Sequence, residues 1–165
     1  MKHAVQQAQA RSDRNKSLVG FVVADIDYAI PINCVREIVA PMPITDLPHA
    51  PQSVPGVADH RGEVITVVDM RRHWGRPPAS ETLKSKWILV QSGKLSVGLV
   101  VDRVIGVFGT SGQRLRRPPA VSGEDARGFL GVIAEGGKIT YVLDIQRFGA
   151  LAEVTQDVHG QENAM

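Results

Sequence analysis

Apolar residues fall along this chain in short runs bounded by turn-formers, not at the three-and-four spacing of amphipathic helices. Leu18-Val19-Gly20-Phe21-Val22-Val23-Ala24 is one strand-length run. Asp25-Ile26-Asp27 breaks it and Tyr28 to Ile32 follows, so the pair predicts a hairpin. Val64 to Val68 predicts a buried strand ended by Asp69. Trp87 to Gln91 and Leu95 to Val101 predict a hairpin across a Ser-Gly turn, and Asp102-Arg103 separates it from a further strand, Val104 to Phe108. Phe129 to Ala134 and Ile139 to Leu143 predict a last hairpin across Glu135-Gly136-Gly137-Lys138.

The segments between these runs leave little room for helix. Asn33 is placed to cap one helical turn, after which Val35-Arg36-Glu37-Ile38-Val39 alternates apolar and charged residues. Ala40 to Pro55 holds five of the ten prolines, which excludes a long helix or a central strand and predicts an extended loop or edge segment. Met70 to Trp74 fits a short helix closed by Gly75, and Asp144 fits the cap of another, Ile145 to Leu151, with Phe148 and Leu151 facing inward. Gly109 to Arg127 reads as a long polar loop. Residues 1–16 read as a disordered tail or a short frayed helix and 152–165 as a polar tail, flanking one ordered unit of two barrel-sized halves, 17–151. Short strands at this spacing predict an all-β fold; periodicity does not separate a sandwich from small barrels.

Composition narrows the chemistry. At 165 residues the chain fits one domain or two small subdomains sharing a core. Aromatic residues are only 5% of it, so Val, Ile and Leu must build most of that core. One cysteine, Cys34, excludes an internal disulfide and any multi-cysteine zinc site. Cys34 sits among apolar residues without the glycine-rich surroundings of a nucleophile elbow, and reads as a small buried hydrophobe. The five histidines lack metal-ligand spacing, Gly106, Gly109 and Gly112 lack a phosphate-loop ending, and Asp25 with Asp27 suits turn chemistry. No catalytic, metal or cofactor constellation emerges. No apolar run is long enough to span a bilayer, and Met1 to Lys16 lacks the apolar stretch of a signal peptide, so the expected compartment is the cytoplasm. Net charge is only +2. Basic clusters at Arg71, Arg72 and Arg76, and at Arg114, Arg116 and Arg117, leave a small-barrel nucleic-acid binder as the alternative, but no aromatic residues interleave with them and a solvated face is the expectation.

One polar set stands apart. Asp59-His60-Arg61-Gly62 directly precedes the Val64 strand, and Glu37 lies within the earlier apolar segment. Charges beside core segments need partners, so an Arg61–Glu37 pair is expected, either as a plain stabilising ion pair or as one that leaves guanidinium donors for a partner protein.

Four collinear segments then resemble the CheW family of chemotaxis coupling proteins: Val35 to Val39, Pro51 to Gly62, Val67 to Arg71 and Val97 to Val104. The resemblance spans Leu18 to Leu151. It implies two five-stranded SH3-like β-barrels packed together, with short helical turns. It implies a non-catalytic scaffold that binds the regulatory domain of a CheA-type histidine kinase and the cytoplasmic tip of methyl-accepting chemoreceptors, in an array steering chemotaxis or surface motility. On matched positions the receptor-facing set is Ile32, Val35, Ile38, Arg61, Val97 and Gly98, with Glu37 positioning Arg61. The kinase-facing set is Ile44, Gly56 and Val57. Asp59-His60 stands where the family usually has Asn-Leu, Thr66 where many members have proline, and Lys86-Trp87 where the strand usually opens with aliphatics.

Overall fold

The computed structural model describes residues 2–4, 17–110, 115–117 and 128–148. Its eleven strands are β1 (Ser17–Val23), β2 (Ile26–Pro31), β3 (Val35–Val39), β4 (Thr45–Asp46), β5 (Gly56–His60), β6 (Glu63–Asp69), β7 (Lys86–Ser92), β8 (Leu95–Val101), β9 (Arg103–Gly109), β10 (Phe129–Glu135) and β11 (Lys138–Leu143). A 3-10 turn, Ile32–Cys34, precedes β3, and one short helix, α1 (Met70–His73), follows β6. The all-β expectation holds. The strands form two sheets, β10-β11-β2-β1-β9 with five and β3-β7-β8-β6-β5-β4 with six. The chain starts in the first sheet, builds all of the second, and returns to the first at Arg103.

The turns explain most of the boundaries. Val23 pairs with Ile26 and His60 with Glu63, so each hairpin turns on two residues. In the first, Ala24 and Asp25 both take positive φ, 49° and 65°, the handedness that matches the twist of the flanking strands. Asp69 caps α1, its Oδ1 accepting the Arg71 amide at 3.0 Å, and Gly75 follows at φ +63°. Asp144 accepts the Gln146 amide at 3.1 Å at the start of the last helical turn; the inward Leu151 lies outside the described residues.

Three apolar clusters follow from strand parity. The largest lies between the sheets, where Val19, Phe21, Val23 and Ile30 of the first meet Val68, Ile88, Val90, Val97 and Leu99 of the second. The opposite face of the second sheet holds Ala58, Ile65, Val67, Trp87 and Leu89, and that of the first holds Leu18, Ala29, Ile133 and Val142. Each sheet thus carries its own small core beside the shared one, which is the sense in which two packed barrels describe it. The scarce aromatic side chains concentrate at one end of the shared core, where Tyr28 stacks on Trp74 at 4.1 Å and both lie near Phe129 and Tyr141.

Asp102 joins the two sheets where the chain crosses back. Its Oδ1 accepts Arg71 Nε at 2.9 Å and its Oδ2 accepts Arg71 Nη2 at 2.7 Å, a bidentate pair reaching α1. Oδ2 also accepts the Ala24 amide at 2.9 Å, and the Asp102 amide donates to the Val22 carbonyl at 3.0 Å. Burial would raise the Asp102 carboxyl, but Arg71 and the Ala24 amide outweigh it and hold it below the usual carboxylate range. Arg71 further donates to the Pro77 carbonyl at 2.8 Å. It is therefore structural, not part of a solvated basic face.

Three local expectations change. Asn33 does not cap the 3-10 turn; Pro31 occupies the cap position and makes no side-chain bond there. Gly56–His60, which carries no long apolar run, is a strand, because the outer edge of β6 is available to it. Val64 is 65% exposed despite opening a buried strand. The proline-rich segment before Pro55 is, as expected, extended chain at an edge, and contributes the edge strand β4, paired through Thr45 with Val57 and Asp46 with Gly56. That approach is close: a Cβ on Gly56 would stand 2.0 Å from the Thr45 carbonyl oxygen.

Gly56→Ala is expected to lower stability by about 1–3 kcal/mol as the edge is forced apart, seen as a lower denaturant midpoint at unchanged slope; an unchanged midpoint would mean that β4 yields freely. Asp102→Asn should cost about 1–3 kcal/mol at neutral pH. A depressed carboxyl stabilises above its unfolded pKa and loses that contribution as pH falls through the folded value. Urea titrations of both forms should therefore converge below about pH 4, and a constant gap down to strongly acid pH would contradict the assigned role.

Candidate functional site

In the second sheet the edge strand β3 and the β5–β6 hairpin are separated by β7 and β8. They nevertheless meet through side chains, because the sheet is rolled and β3 carries a bulge. Val35 pairs with Val90 and Glu37 with Leu89, which leaves Arg36 as the extra residue. A bulge re-aims side chains that would otherwise alternate between faces. Two consecutive charges, Arg36 and Glu37, consequently both reach the β5–β6 hairpin.

Glu37 receives that hairpin's tip. Its Oε1 accepts Arg61 Nη2 at 3.1 Å, and its Oε2 lies 3.0 Å from His60 Nε2. The hydrogen bond from His60, and then the Arg61 charge, hold the Glu37 carboxyl below its usual range against the opposing effect of burial. Beside it, Arg36 Nη1 bonds Glu63 Oε2 at 2.9 Å, and the buried Ser96 hydroxyl donates to Glu63 Oε1 at 2.6 Å. The Glu63 carboxyl is lowered as well, first by Ser96 and then by Arg36. Arg36 also reaches the Ser96 oxygen. The two carboxylates thus form a clasp that joins the edge strand β3 to the β5–β6 hairpin where no backbone ladder does.

The tip itself is strained. Arg61 and Gly62 are the two turn residues, with φ of 53° and 83°. Glycine suits such a position, whereas a left-handed arginine costs about 1–2 kcal/mol. Asp59 steadies the turn, its Oδ1 accepting the Gly62 amide at 2.9 Å. The result is an arginine whose side chain is 76% exposed and whose recorded bond to the protein is the one from Nη2 to Glu37.

Other expected site residues fall in three places. Ile32 and Val35 are half-buried at the rim of the shared core, and Ile38 is 40% exposed on β3 beyond Glu37. Val97 is fully buried in the shared core, and Gly98 faces Leu89, Ile65 and Trp87. Both are buried and face opposite sides of β8, so neither presents a side chain at the surface. Ile44, Gly56 and Val57 gather at the opposite edge, on β4 and β5 with the residue before them, and of these Ile44 is exposed.

Sequence reasoning set His60 in the notable polar stretch without giving it a partner, and missed Arg36, Glu63, Ser96 and Val64. Opposite charges on Arg36 and Glu63, each beside an apolar run, are a signal that could have paired them; His60 offers none, since its bond depends on the β3 bulge. Cys34 packs half-buried against the shared core, and burial, then the Asp144 carboxylate, push its thiol up. That environment suits a packing residue and not a nucleophile.

The comparisons agree with this architecture. The CheW-like domain family matches residues 17–153. A chemotaxis protein CheW of Rhizobium meliloti is 31% identical over 139 residues, covering 84% of this chain and 90% of that protein. A probable chemotaxis protein CheW of Rhizobium etli is 28% identical over 133 residues, covering 80% and 86%. Among solved structures, the scaffolding protein TtCheW of Thermoanaerobacter tengcongensis superposes with a TM-score of 0.72 at 27% identity, over 79% of this chain and 89% of that one. A family match over residues 17–153, joined to a shared fold, places this protein in the CheW family of chemotaxis coupling scaffolds.

Proposed function

We propose that this chain couples chemoreceptors to a CheA-type histidine kinase by binding both, and that it catalyses nothing itself. The observation that carries the reading is Arg61, a highly exposed guanidinium lodged in a strained turn and tethered to Glu37. Strain of this kind persists where the surrounding structure enforces it, and it concentrates at functional sites. We assign the exposed apolar surface of Ile38 on β3 and of the 65%-exposed Val64 on β6 to an incoming helical receptor tip, with Arg61 supplying charge-assisted hydrogen bonds. Val35 and Ile32, which pack against the shared core, are assigned to the same contact, and Val97 and Gly98 to the buried packing of β8.

The kinase contact is assigned to the other edge of the same sheet, where Ile44 and Val57 stand over the close β4–β5 approach at Gly56. Two partners could then bind one rolled sheet without competing for surface. In this reading the protein works in the cytoplasm, alongside an array, with no insertion of its own into the membrane. Among the described residues no helix is long and apolar enough to cross one.

Co-sedimentation of the full chain with receptor cytoplasmic fragments and with the kinase regulatory domain tests the reading directly; absence of binding to either at tens of micromolar would refute it. Arg61→Gly separates function from folding. Glycine relieves the left-handed turn while an exposed ion pair worth little is lost, so thermal stability should stay within about 1 kcal/mol of the parent. Receptor affinity should fall roughly ten- to a hundredfold, with kinase-domain affinity unchanged. Full receptor affinity in this variant would remove Arg61 from the site.

A further inference from the structure

His60 ends β5, one residue before the exposed tip, yet its side chain is only 14% exposed against 76% for Arg61. It approaches Glu37 from beneath, at Oε2, while Arg61 takes Oε1 from outside. One carboxylate therefore has each oxygen committed to a different neighbour, and the two neighbours adjoin in sequence.

That division has a geometric consequence. A glutamate side chain rotates about three bonds, and a single exposed arginine on a turn restrains it weakly. A second, sheltered donor at the other oxygen fixes the plane of the carboxylate, and with it the direction in which Oε1 receives Arg61. The nearby Arg36 is the competing cation: it is bound to Glu63 and Ser96, and its charge also acts on Glu37. With Oε2 released, Glu37 is free to turn toward Arg36 or solvent, and Arg61 loses its tether.

We propose that His60 is a positioning residue for receptor recognition, holding the Glu37 carboxylate so that Arg61 is presented in one fixed orientation. The inference rests on the receptor-facing reading of Arg61 given above. In support, the hydrogen bond from His60 is the largest cause of the depressed Glu37 carboxyl.

The test compares His60→Leu and His60→Gln, each alone and combined with Arg61→Ala, in the full chain. A glutamine amide nitrogen can occupy the place of Nε2, whereas leucine fills the space and donates nothing. His60→Leu should weaken binding of a receptor cytoplasmic fragment roughly three- to tenfold, and His60→Gln should restore it to within about twofold. Kinase-domain affinity should not change. In the Arg61→Ala background, His60→Leu should have no further effect, since the residue to be positioned is gone. Independently of any partner, NMR titration should show the Glu37 carboxyl rising in His60→Leu and returning toward the parent value in His60→Gln. Equal losses with and without Arg61, failure of glutamine to rescue, or an unmoved Glu37 titration would each overturn the proposal. A parent protein that binds no receptor fragment would overturn the coupling reading and the recognition role of His60 together, while the Glu37 titration still reports on the tether.

Discussion

Asp102 is the constraint on which the rest of this molecule depends. A chain that begins one sheet, completes another and then returns must fix the angle of its re-entry, and this chain does so with one carboxylate. Its two oxygens take a bidentate guanidinium from α1 and the amide of a strained hairpin turn, while its own amide completes a bond to β1. Three segments far apart in sequence are tied at a point between the sheets. The aliphatic packing above supplies most of the favourable free energy; Asp102 supplies direction, which apolar burial cannot.

The clasp at Glu37 solves a related problem. A six-stranded sheet whose edge strand β3 comes back to the β5–β6 hairpin without pairing to it leaves backbone edges open, and such edges invite pairing with foreign strands. Here the gap is bridged by charged side chains instead of a backbone ladder. The bridge leaves an arginine outside, so the element that completes the fold also faces solvent with unused donors. Structural and recognition roles need not be alternatives at such a place.

Much of this was legible in the sequence, and the limits have physical causes. Strands such as Leu95–Val101 announce themselves because aliphatic runs end at turn-formers within a few residues, and the Glu37–Arg61 pair was legible because a charge beside a core segment must be answered. Gly56–His60 was not: it has little apolar character of its own and becomes a strand only because β6 offers an edge. Arg71–Asp102 was hidden by a separation of 31 residues and by the ordinary look of each residue alone. His60 was hidden more deeply. It meets Glu37 only through a bulge that inserts Arg36, and a bulge is a register event between two strands that neither strand's pattern reveals.

The order of the strands carries a consequence for how the protein is made. β3 to β8 are contiguous in the chain, so the second sheet can assemble as soon as Val101 has left the ribosome. The first sheet cannot, because the β1–β2 hairpin waits for β9 on one side and for β11 on the other. During that interval β1 presents an unpaired edge, and Val19, Phe21 and Val23 on it can be covered only by the face that the second sheet offers. The middle of the chain thus serves as a template on which its two ends are joined, and loss of the last hairpin would leave the oldest part of the protein with an edge it cannot close.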